Sequence, residues 1–251
     1  MNLNKNLILN NFPNLTHAFT TKDGGVSKSP FTSLNLAFHV EDSLNDVIKN
    51  HDKLASKLNY ERRTLVHMKQ IHSDAVHIVS DIDNFDNPPT CDALITDKTN
   101  VPLMVMVADC SPILFYDSKK EVIAVAHAGR QGAFKNIVQN VINSFVNIYG
   151  SDAKDISASV GASIGVCCYE VGAEIYDEAK ELGLKYSMQK REDSFYLDVS
   201  AILKTQLLAS GIKKENIEIS KECSCCKNEK YFSYRADANT GRFAGILMMK
   251  E

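Results

Sequence analysis

Long apolar runs are missing from this chain. No stretch approaches the roughly 18 consecutive apolar residues of a membrane span. The polar, asparagine-rich opening MNLNKNLILNNFPNL has neither the apolar centre nor the small-residue cleavage site of an export signal. A cytoplasmic location with no membrane partner is the expectation. An excess of charge is missing too: 28 Lys and Arg stand against 31 Asp and Glu, a net charge of −3, and the lysines are scattered. That leaves no basic stripe for nucleic acid. There is no tryptophan, no Pro/Gly/Ser-rich linker, no internal repeat and no low-complexity tract. Without a linker the 251 residues read as one domain, 1–251, long enough to bury a core without staples. The seven cysteines, an odd number in a chain without an export signal, read mostly as reduced, packed thiols.

What is present is most readable in the middle. Val101–Asp109 is a short apolar, β-branched run that suits a buried strand, and Pro112–Asp117 reads as its continuation, with Pro112 breaking the ladder locally. The polar residues Ser118–Lys120 read as a turn into a second buried strand, Glu121–Gly129, giving an antiparallel hairpin. Apolar residues at three- and four-residue spacing from Phe134 to Val146 predict a helix ended by Gly150. Further helices are expected from about Ala173 to Leu182, stopped by Gly183, and from the N-cap Asp198 to just before Gly211. Strands are expected near Ala75–Val79, Ser157–Val160, Ile217–Ser220 and Ala244–Met248. The fold class is therefore α/β in the broad sense (α+β), a mixed chain with at least some antiparallel pairing rather than a purely doubly wound sheet.

The hairpin carries the chemistry. With a three-residue turn, Cys110 falls opposite Ala128, and a one-residue bulge near Pro112 would bring the Cys110 and His127 side chains to one face, at the hairpin's open end. Thiolate and imidazole together are zinc or copper ligands, but two ligands hold a metal poorly. A third is sought among His67, His72 and His77, and His72 is the candidate. Cys110 with His127 is also legible as a nucleophile and its base. The run Cys223-Ser-Cys225-Cys226 has the look of a metal knuckle, with no second paired motif to complete it.

At these residues the chain resembles the YfiH-type family, once called multicopper polyphenol oxidases (laccases) and regarded largely as purine nucleoside phosphorylases. The resemblance rests on HAFTTKDGGVS (His17–Ser27), SLNLAFHVED (Ser33–Asp42), KQIHSD (Lys69–Asp74), CDALIT (Cys91–Thr96), PLMVMVADCSPILFYD (Pro102–Asp117), AVAHAGRQG (Ala124–Gly132), GASIGVCCYEVG (Gly161–Gly172) and FSYRADANTGRFAGIL (Phe232–Leu247). It implies one zinc on His72, Cys110 and His127, and a single α/β domain of mixed β-sheets flanked by helices, similar to the catalytic domain of the cytotoxic necrotizing factor toxins. It also implies phosphorolysis of adenosine, inosine and guanosine, cleavage of methylthioadenosine, and deamination of adenosine. Purine nucleosides and phosphate are then the partners, with a homodimer as the assembly to test. Copper-dependent polyphenol oxidation and hydrolytic editing of peptidoglycan precursors are the alternatives.

Asp109 is a candidate general acid/base. Lys22, Arg130 and Arg235 are candidate phosphate-binding cations, Gly24 and Gly25 offer backbone N–H groups to an anion, and Ser233 is a candidate for a nucleoside hydroxyl. Three departures bear on these contacts. The family's HAGWRG is His127-Ala128-Gly129-Arg130-Gln131-Gly132 here, its R-x-G-G is Lys22-Asp23-Gly24-Gly25, and its FSYRRD is Phe232-Ser233-Tyr234-Arg235-Ala236-Asp237. Each removes a tryptophan or a planar guanidinium fork from its usual place.

Overall fold

Six strands form the central sheet: β3 (Val76–Ile78), β4 (Ala93–Thr96), β6 (Ser111–Asp117), β7 (Val122–Ala128), β8 (Ile156–Val160) and β12 (Ile217–Ile219), in the order β12-β8-β6-β7-β4-β3. A second sheet, β1-β2-β13-β5, is built from β1 (Leu3–Asn4), β2 (Leu15–Thr20), β5 (Leu103–Val107) and β13 (Phe243–Met249). A small antiparallel sheet joins β9 (Glu170–Val171), β10 (Met188–Arg191) and β11 (Ser194–Leu197). The helices are α1 (Leu44–Leu58), α2 (Arg130–Phe134), α3 (Ile137–Tyr149), α4 (Ala173–Glu181) and α5 (Val199–Ala209). This computed structural model describes residues 1–4 and 7–251; Lys5 and Asn6, within the asparagine-rich opening, lie outside it. The fold is the expected mixed α+β domain.

Apolar content explains the layering. Strands β4, β6, β7 and β8 are buried along their whole length, so both faces of the central sheet need cover. One face packs on α3 and α5 through Ile113, Phe115, Ala124, Val138, Val141, Phe145, Ile202 and Leu203. The other packs on the second sheet through Leu114, Tyr116, Ile123, Val125, Val105, Phe243 and Leu247. Helix stops follow the glycines: Gly150 caps α3 at φ 66° and Gly183 follows α4 at φ 73°. Asp198 caps α5, its carboxylate accepting the Ala201 N–H at 2.9 Å. No helix among the described residues is long and apolar enough to cross a membrane.

Two readings of the hairpin are corrected. Pro112–Asp117 does not continue the preceding strand. The chain leaves the second sheet after Val107 and enters the central sheet at Ser111, so β5 and β6 lie in different layers. Pro112 breaks nothing, because it is the second residue of β6, at the sheet's end, and pairs with His127. The turn is also one residue longer than expected. Asp117 pairs with Val122, and Ser118–Glu121 form the loop, with Glu121 at φ 53°. This register aligns Ser111 with Ala128. Cys110, two residues before Pro112, then lies on the His127 face with no bulge.

Candidate active site

The strand directions gather the chemistry at one edge. β3 and β4 are parallel, β4 is antiparallel to β7, and β7 is antiparallel to β6. The entries to β3, β4 and β6 and the exit of β7 therefore share one end of the central sheet. His72 lies just before β3, Asp92 just before β4, Cys110 just before β6, and His127 is the penultimate residue of β7. Residues far apart in sequence become neighbours because four adjacent strands each present one of them.

One ligand atom from each of His72, Cys110 and His127 lies within 4.8 Å of the other two. His72 Nε2 is 3.9 Å from Cys110 Sγ, and the two imidazoles meet edge to face at 4.8 Å between centroids. His127 is buried, Cys110 half-buried and His72 exposed. Gly129 makes the convergence possible, since a Cβ there would sit 2.7 Å from Cys110 Sγ and 3.3 Å from His72 Cδ2. His67 and His77 turn elsewhere. His67 Nε2 meets the Phe85 carbonyl at 3.1 Å, and His77 Nε2 meets Asp83 at 2.7 Å.

Asp92 was not singled out from the sequence, and it organises the centre. Fully buried, it accepts the backbone N–H groups of Ile71, His72 and Ser73 at 3.2, 3.1 and 2.7 Å, and the Ser73 hydroxyl at 2.7 Å. Its Oδ1 lies 2.8 Å from His127 Nδ1, and its carbonyl accepts the His127 N–H at 2.7 Å. One carboxylate thereby fixes both histidines and leaves His127 Nε2 facing Cys110. Gln70 completes the anchoring: its side-chain amide exchanges two hydrogen bonds with the Met106 backbone, at 2.8 and 2.9 Å.

Electrostatics follow from this packing. Burial pushes the Asp92 carboxyl up, but His127 and the Ser73 donors outweigh it and hold it down at about 2. Burial likewise disfavours the Cys110 thiolate, yet the two histidines bring the thiol down to about 6. His127 is raised to about 9 against its own burial, through Cys110 and Asp92. These mutual shifts favour a thiolate beside an imidazolium, oriented by a carboxylate, in the metal-free centre. Two imidazoles and a thiolate, one imidazole carrying a carboxylate on its far nitrogen, form a donor set that fits a borderline-soft divalent ion with an open fourth position.

The centre opens into a cavity of about 940 Å³. Apolar and aromatic groups line it, among them Phe38, Met68, Phe85, Ile164 and Tyr169, together with the cations Lys69, Arg130, Arg235 and Arg242 and the exposed His39. Burial, then Arg242, His127 and His72, lower the His39 pKa. Arg235 sits over the Tyr169 ring at 5.4 Å and donates to the carbonyls of Cys168 and Glu170 at 3.2 and 2.8 Å. Arg130 pairs with Glu178 at 2.8 Å.

The other expected residues divide. Asp109 lines the cavity, but both its carboxylate oxygens are engaged, by the Ser224 hydroxyl at 2.6 Å and the Arg235 N–H at 2.7 Å. Lys22, Gly24, Gly25 and Ser233 are not among the lining residues. Lys22 Nζ donates to the Asn228 carbonyl at 2.5 Å, and the Gly25 N–H donates to Ser33 Oγ at 3.0 Å. A Cβ on Gly24 or Gly25 would collide with Met1 or the Ser33 backbone, so these glycines serve close chain packing. Ser233 Oγ accepts the Ala236 N–H at 3.3 Å. Asp92 and Gln70 lie within CDALIT and KQIHSD, so the signal for them was present. His39 and Arg242 lie within SLNLAFHVED and FSYRADANTGRFAGIL, but nothing in their spacing marks them.

A family profile described as multi-copper polyphenol oxidoreductase laccase matches residues 16–250. The chain is 33% identical over 244 residues to the purine nucleoside phosphorylase YlmD of Bacillus subtilis, covering 93% of this chain and 88% of that one. It is 35% identical over 233 residues to a purine nucleoside phosphorylase of Corynebacterium glutamicum, covering 92% and 93%. Among solved structures, the hypothetical protein YfiH of Bacillus licheniformis superposes with a TM-score of 0.90 at 33% identity, over 96% of this chain and 94% of that one. YlmD of Geobacillus stearothermophilus gives 0.88 at 30% identity, over 96% and 93%.

Proposed function

The chain belongs to the multi-copper polyphenol oxidoreductase laccase family, and from that premise we propose that it is a metal-dependent purine nucleoside phosphorylase, with zinc as the metal and deamination of adenosine as a second activity. The observation that carries the reading is one arrangement: the three ligands stand beside a cavity that pairs aromatic walls with several cations. A purine and its sugar need apolar cover, and phosphate needs positive charge; cavities of roughly 300–1,000 Å³ bury such ligands. The names of the relatives point the same way.

His72, Cys110 and His127 would hold the metal. A bound zinc supplies Lewis acidity and, for deamination, an acidified water. The rest falls to this chain's own side chains. Asp92 holds His127 in the tautomer that presents Nε2. Arg235 and Arg242 border the cavity and are the guanidiniums placed to neutralise phosphate. Tyr169 and Phe38 offer faces to the purine ring. Asp109, held by Ser224 and Arg235, positions the Arg235 backbone rather than shuttling protons. Arg130 serves from the rim through its pair with Glu178. Lys22, Gly24, Gly25 and Ser233 are engaged in the chain's own packing outside the cavity lining.

The test is incubation of zinc-loaded protein with adenosine, inosine or guanosine, with and without phosphate. Ribose-1-phosphate and free base should appear only with phosphate, adenosine should also yield inosine or hypoxanthine, and Cys110→Ala should abolish each. Release of free base independent of phosphate, or equal turnover by Cys110→Ala, overturns the reading. A second reading has its own observation, the Cys110–His127–Asp92 line with its lowered thiol. Those groups alone can act as nucleophile, base and orienting carboxylate. Activity that survives a strong chelator but is lost to iodoacetamide would select it. Copper-dependent phenol oxidation without nucleoside turnover would instead favour the oxidase sense of the family name.

A further inference from the structure

A second group of sulfurs lies outside the centre just described. The Sγ atoms of Cys167, Cys168, Cys223 and Cys226 all fall within 4.8 Å of one another. Cys226 Sγ is 3.4 Å from Cys167 Sγ and 3.3 Å from Cys168 Sγ. A disulfide needs about 2.05 Å, so these are free thiols. Four sulfurs on a tetrahedral zinc with Zn–S bonds of about 2.3 Å stand about 3.8 Å apart; the two short separations, 3.4 and 3.3 Å, fall a few tenths of an ångström inside that value, and none exceeds 4.8 Å. Four sulfurs this close enclose one ion and leave no room for an iron–sulfur cluster.

Sequence and backbone both prepare the site. Cys223 and Cys226 make a C-x2-C knuckle, and the partner pair that the sequence did not reveal is Cys167-Cys168, 59 and 58 residues before Cys226. An isolated bridge between Ser163 and Cys223, and the Ser224 N–H bonded to the Ser163 carbonyl at 3.0 Å, lay the two segments side by side. The Gly165 and Cys226 N–H groups donate to Cys223 Sγ at 3.2 and 3.5 Å, the kind of hydrogen bond that favours a thiolate. Gly165 must be small, because a Cβ there would lie 3.1 Å from Cys167 Sγ. Two guanidiniums stand by: Arg191 donates to the Val166 and Cys167 carbonyls, and Arg235 to the Cys168 carbonyl. They bring positive charge to a complex that would carry two negative charges. Cys167 and Cys226 are exposed, which gives an ion a way in.

We infer that Cys167, Cys168, Cys223 and Cys226 form a structural tetrathiolate site for one zinc ion, independent of the His72–Cys110–His127 centre. Binding replaces the thiol protons: four S–H groups lose H⁺ to solvent as four Zn–S bonds form. The ion would clip the segment that carries Ile164 and Tyr169 to the one that carries Ser224 and Arg235. Both segments border the cavity, and both meet Asp109. It would therefore stiffen one wall of the cavity without touching substrate.

The experiment uses the reduced full-length chain as wild type, as Cys110→Ala, and as Cys110→Ala carrying Cys167→Ser and Cys226→Ser. Zinc is counted by elemental analysis after dialysis, and cobalt titrations are followed by absorption. Wild type should retain two zinc ions, Cys110→Ala one, and the triple variant none. Cobalt in Cys110→Ala should give the intense thiolate charge-transfer bands of four-sulfur coordination. Cobalt is read with all four cysteines intact, so the result does not depend on the triple variant folding. A Cys110→Ala chain that binds no zinc and shows no such bands overturns the inference. So does a non-reducing peptide map showing Cys226 disulfide-linked to Cys167 or Cys168.

Discussion

Asp92 shows how much one side chain can organise. It receives three backbone N–H groups, a hydroxyl and an imidazole, and all but the imidazole come from the His72 segment. Asp92→Asn keeps the shape but removes the charge that orients His127. Loss of such an outer partner typically weakens metal affinity about 10–100-fold, and competition with a chromophoric chelator should show a loss in that range. The same group has a pH signature. Its folded pKa, about 2, lies below the unfolded value of 3.8, so its stabilisation is present above 3.8 and is lost as pH falls through 2. Acid titration of the metal-free protein by circular dichroism should place extra destabilisation in that window, absent in Asp92→Asn. Gly129→Ala tests the close approach: its methyl would stand 2.7 Å from Cys110 Sγ. The backbone there, at φ −78°, accepts any residue, so the fold should survive while metal affinity drops at least 10-fold in the same chelator assay. At this scale the sequence exposed residue types and left out angles. Cys110 and His127 were readable as neighbouring candidate ligands and His72 entered through the family resemblance, whereas Asp92 looked like any acidic residue before an apolar strand.

Elements convert those residues into a site through register. The hairpin reading named the right pair with the wrong turn, because a three-residue and a four-residue loop are indistinguishable when every turn residue is polar. Glu121 at φ 53° is the residue that lengthens the loop. A non-glycine residue there bears left-handed strain, so Glu121→Gly should raise stability by up to about 1 kcal/mol in urea unfolding, with unchanged turnover. The helices ended by Gly150, Gly183 and Gly211 were legible because capping is local chemistry. α1 was not named, although Val47, Leu54, Ala55 and Leu58 recur on its buried face; charged residues between them mask the period. The passage from β5 to β6 was misread for a physical reason. Two apolar strands joined by three residues look identical in sequence whether they share a sheet or cross between two.

At the scale of the whole molecule, the broad apolar interface between the two large sheets has one especially tight spot. Phe19 of β2 lies against Gly161 and Gly245, and a Cβ on Gly161 would stand 2.5 Å from its ring and 2.9 Å from Pro112. Gly161→Ala should cost about 1–3 kcal/mol by overpacking, measurable as a lower urea midpoint. Because Gly161 begins the segment that carries Ile164 and Tyr169 to the cavity, KM for nucleoside should rise as well. Inter-sheet packing of this kind leaves no trace in periodicity. The class of fold was visible from alternating apolar runs, but the partition of strands between sheets was not.

The central sheet is polarised: its reactive residues sit at one end, and the exposed loop Ser118–Glu121 joins β6 to β7 at the other. That separation makes the loop a natural splice point. A peptide tag or fluorescent module inserted there would hang on the side opposite the cavity, allowing the protein to be immobilised or tracked with its mouth left clear.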